Sequence, residues 1–293
     1  VGIIDNIIGI YDKQYKLLMV GPILLLIASL AVLGLSYATK GEFVTKGISL
    51  KGGIAITFLA PTDMTFGELQ ETLSTQLEGD VNVRALGEGA NAYFIIEASD
   101  ATEDAIVAAL QKEDITLTRG EYSVEQFGGS LGASFFRQTL WALVAAFVSM
   151  AIVVFITFRT PLPSAYVILA VVCTMLMTLA TISFIGLRLS TAGIAAFLML
   201  IGYSVDTDIL LTSRVLRRNE GTVFERVLSA TKTGLTMTLT AFAATLVAYF
   251  STDSDVIRQI MLILTIGLFY DMINTWLQNA ALLRLYMERK HRG

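Results

Sequence analysis

The chain has 293 residues, 54% of them hydrophobic and only 16% charged, with a formal net charge of −4 and a mean hydropathy of +0.66. That balance excludes an ordinary soluble domain. It also carries no nucleic-acid signature, because the basic residues mark the edges of apolar runs rather than forming a patch.

Residues 1–16 come first. Ile3, Ile4, Ile7, Ile8 and Tyr11 recur at helical spacing with Asp5, Asp12 and Lys13 among them, which predicts a short helix lying in a membrane interface. Leu17–Tyr37 is uncharged and long enough to cross a hydrocarbon core of roughly 30 Å. It exceeds a signal-peptide h-region and lacks a small-residue cleavage site, so residues 17–37 are read as a retained first span.

The pattern then changes to alternation over residues 38–136. Ile54–Phe58, Val81–Leu86, Tyr93–Glu97 and Ile115–Val124 read as strands, and Val44–Leu50 is a candidate additional edge strand. Two helices fall between them, each opened by a cap-then-Glu spacing: Thr65 with Glu68, and Asp100 with Glu103. The order β-α-β-β-α-β predicts an inserted α+β domain of ferredoxin-like arrangement. Fifteen acids from Glu42 to Glu125 face six bases here. Solubility explains that excess most simply, and a surface for a passing chain or partner is the alternative. The glycine pairs Gly52-Gly53 and Gly128-Gly129 flank the domain as turns or hinges.

Five further spans follow within residues 137–285: Leu140–Phe158, Tyr166–Leu187, the region 190–213, Gly234–Phe250 and the region 260–283, ahead of a tail at 286–293. The expected fold is thus a six-helix membrane bundle with an inserted domain. Six spans put both termini on one side. Lys13, Lys16, Arg159, Arg214, Arg217, Arg218, Arg226, Lys232, Arg284, Arg289, Lys290 and Arg292 all fall there, against Arg188 and Arg258 in the opposite short loops. The positive-inside rule makes the termini cytoplasmic and residues 38–136 extracytoplasmic. Arg188 and Arg258 are read as interfacial anchors. The lone Cys173 lies in a span and the lone His291 in the tail, which excludes an internal disulfide, a His-based metal site and a serine–histidine triad in the membrane. No cofactor, metal or catalytic residue is expected.

Three acids interrupt the spans: Asp206, Asp208 and Asp271. Each costs on the order of 2.5–3.5 kcal/mol at a helix centre, so such residues turn toward the bundle interior and mark ion pathways. Asp206 and Asp208, two apart, point roughly 200° away from each other on a helix. Asp206 shares a face with Gly202 and Ser213, and Asp208 with Ser204 and Thr212. Asp206 is the first candidate for proton transfer, since burial favours the protonated form of a carboxyl. Asp208, nearer the edge, is expected to meet water or a base. Asp271 suits either a proton carrier or a structural carboxyl. Asp271, Asn274, Thr275, Gln278 and Asn279 form one polar stripe; Lys232, Thr233, Thr236 and Thr240 form another. Both are expected to turn toward a common centre, or to serve as helix–helix glue.

Several segments resemble the SecD/SecF family of the resistance-nodulation-division (RND) superfamily, in its SecF branch. Gly47–Gly53, GISLKGG, is similar to the family's GIDFxGG with Ser49 in place of Asp. Gly202, Tyr203 and Ser204 open a segment that resembles GYSIND. Ala230–Leu246, ATKTGLTMTLTAFAATL, is similar to RTxxTSxTTL, and Phe269–Ala280, FYDMINTWLQNA, looks like the archaeal branch. Thr207 stands where that motif has its Asp, while Asp206 matches the Asp of the sister SecD motif VDAN. Lys232 replaces the opening Arg, keeping charge and losing the planar fork.

The resemblance implies a SecF-like subunit that assists protein translocation with SecD, the Sec translocon channel and exported preproteins as partners in the lipid bilayer. Proton movement would run past Asp206, Asp208, Asp271, Lys232, Thr236 and Asn274. A small-molecule or lipid exporter of the same superfamily is the alternative, although such pumps carry two large outer loops and twelve spans. A scaffold for SecD is a further reading. An intramembrane aspartyl protease is disfavoured, because its YD motif precedes GxGD and the order here is reversed.

Overall fold

The computed structural model describes residues 8–9, 11–61, 65–77, 79–86, 92–218 and 220–290. Ile3, Ile4, Asp5, Ile7, His291 and Arg292 lie outside the described residues. Six helices are long and apolar enough to cross a membrane. The first is α1 (Val20–Lys40). The inserted domain follows: β1 (Gly53–Leu59), α2 (Phe66–Gln76), β2 (Val81–Leu86), β3 (Tyr93–Ala98), α3 (Glu103–Lys112) and β4 (Tyr122–Phe127). The remaining spans are α4 (Gly129–Phe158), α5 (Pro161–Phe184), α6 (Thr191–Arg217), α7 (Val223–Ser251) and α8 (Asp255–Ile273). The last runs on through a π-helical turn, Asn274–Asn279, into α9 (Ala280–Lys290).

The inserted sheet has the order β2-β3-β1-β4 with antiparallel pairs throughout, the ferredoxin-like arrangement. Period-two alternation builds it. Ile54, Ile56 and Phe58 of β1, with Phe94 and Ile96 of β3, bury one face against Leu69, Leu73, Ile106 and Leu110 of the two helices. The opposite face looks onto the bundle across a cavity of about 370 Å³, lined by Thr57, Glu97, Glu125, Arg188 and Asp255 among others.

Local details correct the sequence reading. The fourth strand starts at Tyr122, because a turn in which Glu121 N–H donates to the Thr118 carbonyl occupies the preceding residues. Val44–Leu50 adds no strand. Ile48–Lys51 is one helical turn, and only an isolated bridge joins Lys46 to Leu189. The capping box at Thr65 and Glu68 is formed. At the second helix the cap is Thr102, whose hydroxyl accepts from Ala105 N–H, while Asp100 accepts from Ser99. Helix α4 begins at Gly129, inside the stretch assigned to the domain.

In the bundle, α5 and α6 are the most buried helices, whereas α1, α4 and α7 leave most of their apolar surface open. The described N-terminal residues dock on the bundle's terminal end: Tyr11 donates to the Trp276 carbonyl at 2.6 Å, Tyr15 to Glu288, and Asp12 pairs with Arg284. The described residues 8–9 and 11–13 of this stretch are helical, and these side-chain contacts hold them against the bundle.

The glycine pairs are neither loose hinges nor ordinary turns. Gly52 (φ 90°) lies so close to the next span that an added Cβ would stand 2.3 Å from Gly129 Cα, and one on Gly132 would stand 2.9 Å from Gly52 N. Backbone meets backbone where the chain enters and leaves the domain, and only glycine permits that approach.

Candidate functional site

The acid-bearing helices α6 and α8 lie side by side in the bundle, and both their domain-side ends are held by the inserted domain or its connections. Helix α6 is capped by Ser190, which accepts from Gly193 N–H. Its first amide, Thr191 N–H, donates to Ser49 Oγ at 3.2 Å. Ser49 thus occupies the one place in the GISLKGG motif where an acceptor meets a helix N-terminus, the position in which an acid would also be favoured. Gly47 N–H donates to Leu189 O at 2.8 Å and fixes the same crossing. Asp255, in the first turn of α8, accepts from Arg84 of β2 at 2.6 Å, and Arg84 also pairs with Glu97 at 2.8 Å. Arg188, expected at the membrane interface, is bidentate to Asp80 of the inserted domain, at 2.7 and 2.8 Å. Arg258 donates to Thr252 O.

Midway along these helices the two faces meet through oxygen-bearing side chains. Asp271 accepts from the Ser204 hydroxyl, from Thr207 Oγ1 at 3.1 Å and from Thr275 Oγ1 at 3.4 Å. The Thr207 hydroxyl also lies 2.9 Å from the Ser204 carbonyl. Asp208 Oδ1 accepts from Asn279 Nδ2 at 2.7 Å. Ser204, Asp208, Asp271, Thr275 and Asn279 are all fully buried. The π-helical turn Asn274–Asn279 carries Thr275 and Asn279 on the same side as Asp271 of the helix before it, and such turns recur at functional sites. The other half of the stripe faces α5: Asn274 donates to Thr174 Oγ1 at 2.9 Å, and Gln278 to Cys173 Sγ.

The placement of the expected residues is therefore divided. Asp208 and Asp271 are brought together in the interior. Asn274 is buried beside them but turned to another helix. Asp206 is exposed on the outer face of α6 together with Gly202 and Tyr203, the reverse of the expectation that Asp206 faces inward and Asp208 meets water. Helical phase explains the reversal: Ser204, Thr207, Leu211 and Thr212 share the buried side with Asp208. Lys232, Thr236 and Thr240 are exposed as well, so the polar stripe of α7 does not turn to the common centre. Helix α7 packs instead through Ala230, Gly234 and Thr238, with Gly234 against the Trp276 ring.

Residues the sequence reading did not single out also matter. Thr207, noted only as replacing a family acid, is a donor to Asp271. Among the described residues, no Lys, Arg or His pairs with either buried acid. Nor do three or more His, Cys, Asp or Glu gather as a metal site.

Residues 107–289 match the family model described as "Protein export membrane protein SecD/SecF, C-terminal". The chain is 40% identical over 283 residues to a protein-export membrane protein SecF of Methanocaldococcus jannaschii, covering 94% of this chain and 96% of that one. It is 35% identical to the protein of the same name from Pyrococcus furiosus, with 98% of both chains covered. Its fold is similar to the crystal structure of SecDF, a translocon-associated membrane protein from Thermus thermophilus. That likeness has a TM-score of 0.74 at 19% identity, over 99% of this chain. The chain spans 40% of the length of that solved SecDF chain.

Proposed function

The chain belongs to the SecF branch of the SecD/SecF family of protein-export membrane proteins, and from that premise we propose that it acts as the SecF subunit of a SecD–SecF complex. It is a multi-pass membrane protein with an RND-like bundle. In the proposal it assists translocation alongside the Sec channel, and proton movement past Asp208 and Asp271, in the fourth and sixth spans, is coupled to motion of the inserted domain. The observation that carries the reading is the pair of fully buried acids on α6 and α8, helices whose domain-side ends are tied to that domain by Ser49 and Arg84. Protonating a buried acid removes a costly charge and biases one packing of two helices over another. The termini are assigned to the cytoplasm and the inserted domain to the opposite side, where it engages the emerging chain.

The exposed face of α6 fits a six-helix SecD partner. Gly202 has nothing within 4 Å of a built Cβ, which leaves room for a neighbouring helix to approach closely. Asp206 and Tyr203 lie on that face, and α7 offers Lys232 and Thr236 on its own exposed side. Burial by a partner would bring Asp206 into a low-dielectric interface, which keeps it as a third member of the proposed route, beside Asp208 and Asp271.

The test is reconstitution of the full chain with SecD, measuring preprotein export and proton flux under an imposed gradient. Asp208→Asn and Asp271→Asn are each expected to lower gradient-dependent export by about tenfold, the effect of about 1.4 kcal/mol at a rate-controlling step. Full gradient-dependent export by both variants would remove the proton route. Failure of the chain to copurify with SecD would remove the subunit assignment.

A further inference from the structure

Two apolar stripes face a common gap on the lipid side of the bundle. On α4, Phe136, Leu140, Leu143, Val144 and Phe147 recur at helical spacing. On α5, Val172, Met175, Leu176 and Leu179 do the same. Helix α4 packs on α5 and α6, yet between the stripes the helices leave a groove of about 660 Å³, lined also by Ile194 and Phe197 of α6. Leu140 and Val144 on its α4 wall are 46% and 44% exposed, so the groove opens to the surrounding lipid. The buried acids do not line it.

Depth and rim both point to one leaflet. Phe136 and Phe147 are eleven positions apart. That is roughly 16 Å along a helix axis, about half of a hydrocarbon core of roughly 30 Å. At the domain-side end the rim is formed by Tyr37, Phe43, Lys46 and Phe136. Tyr37 and Phe43 stack with ring centroids 4.8 Å apart and both are more than half exposed, the placement of an aromatic belt at headgroup depth. Lys46 Nζ lies 4.8 Å from the centroid of the Phe136 ring. Charge at this rim is unbalanced. Lys46 and Lys51 share Glu42, and Lys51 and Arg188 share Asp80, so three bases meet two acids beside an otherwise acid-rich domain. An ammonium has three donors, and the 3.4 Å pair with Glu42 engages one of those of Lys46.

We propose that this groove binds one hydrocarbon chain of an anionic membrane lipid from the leaflet on the inserted-domain side, with the lipid phosphate on Lys46. A hydrocarbon chain asks for no hydrogen-bond partners. An extended peptide would bring N–H and C=O groups against walls of apolar side chains, where they stay unpaired. A partner helix is too large, because one turn of a cylinder 10–12 Å across and 5.4 Å high fills roughly 420–610 Å³, nearly the whole groove. Helix α4 is the least buried of the six spans, so the contacts that a lodged chain supplies weigh most there. The site involves no protonation step and stands apart from the proton route.

The experiment is native mass spectrometry of the full chain released from detergent and titrated with dioleoyl phosphatidylglycerol. One tightly held lipid per chain is expected above a background of weaker adducts. Dioleoylglycerol, which has the chains and no phosphate, should bind about fivefold more weakly, the worth of one basic group beside an anionic lipid. Glycerol phosphate, a headgroup without chains, should not compete. Lys46→Gln should weaken phosphatidylglycerol by the same factor, and Lys46→Arg should restore it. Val144→Trp, at an exposed position on the groove wall, should abolish the tight site with the melting temperature unchanged. Leu140→Trp on the same wall repeats the test should that variant fold poorly. Val153→Trp, equally bulky on the opposite, exposed face of α4, should leave the lipid bound. Tight binding that survives both groove-wall tryptophans would overturn the groove as the site. Equal affinity of wild type and Lys46→Gln would overturn the phosphate contact, and competition by glycerol phosphate would reduce the site to one for free phosphate. Loss of the lipid when SecD binds would give the groove to a partner and overturn the proposal, whereas retention supports it. None of these readouts measures export, so failure of the proton route leaves them standing.

Discussion

Both oxygens of the Asp80 carboxylate accept from Arg188, at 2.7 and 2.8 Å, and so the inserted domain is clamped to the loop between α5 and α6. The clamp continues inward, because Arg188 O accepts from Gln259 Nε2 on α8 at 2.7 Å, and Gln259 also accepts from Ser190 at the start of α6. One residue of the domain therefore bears on the ends of both acid-carrying helices. Removing the guanidinium with Arg188→Ala should lower stability by about 1 kcal/mol, the upper end for an exposed ion pair, since Asp80 is partly exposed. Amide exchange should accelerate at the β2 edge and at residues 186–190 more than in β1. The reciprocal swap Asp80→Arg with Arg188→Asp should restore most of the protection; if it restores none, the pair does not hold the domain.

The glycine crossing predicts a sharp contrast inside one motif. Gly52→Ala places a methyl 2.3 Å from Gly129 Cα on a residue with φ of 90°. Left-handed strain of roughly 1–2 kcal/mol and overpacking of roughly 1–3 kcal/mol act together there. Gly47 has φ of −75°, and its added methyl would meet ordinary contacts at 3.5 Å and beyond. Gly52→Ala should therefore abolish or severely reduce folded protein in the membrane, while Gly47→Ala accumulates near the wild-type level. Equal accumulation of the two would show that the crossing is a flexible hinge after all.

What the sequence disclosed and what it hid follow from the same geometry. Spacing shows that Asp206 and Asp208 point apart, and that Asp271, Thr275 and Asn279 can share a face. It does not show which side of α6 is inside, since periodicity gives relative phase and the absolute phase comes from neighbours. A usable signal was present: Asp208 shares its side with Ser204 and Thr212, whereas Asp206 shares its side with Gly202, a residue that buries nothing. The π-helical turn had no local signature, because it answers the packing of Asn274 and Gln278 on α5 as much as their own sequence. In the inserted domain the strand alternation was plain. The start of β4 was hidden by the apolar residues Ile115 and Leu117, which pack on the domain core without joining the sheet.

Tyr11 ties the N-terminal segment to the same π-helical turn by donating to the Trp276 carbonyl. Burial pushes the Tyr11 phenol up to about 12, so it remains a donor through the ordinary working range. The sign is that of a raised folded value. The contribution is complete below the usual tyrosine value of 10.0 and is lost as pH rises through about 12. Tyr11→Phe should cost about 1 kcal/mol, the ordinary worth of such a bond, seen as a lower melting temperature in detergent and faster exchange near Trp276. An unchanged melting curve would mean that the N-terminal segment contributes nothing to the turn.

The capping box at Thr65 predicts an acid-dependent opening confined to the inserted domain. The Thr65 N–H and hydroxyl both donate to Glu68, and these bonds hold its carboxyl below the ordinary glutamate value. A lowered folded value means that the unfolded helix start binds protons more readily. The contribution is therefore complete above the unfolded glutamate value and disappears as pH falls through the lower, folded one. Amide exchange at the first turn of α2 in the full chain, corrected for intrinsic rates, should increase over that acid window. Glu68→Gln keeps an acceptor and removes the titration, so its corrected exchange should be flat there. A wild-type profile as flat as that of the variant would show that the bonds to Thr65 do not govern the helix start.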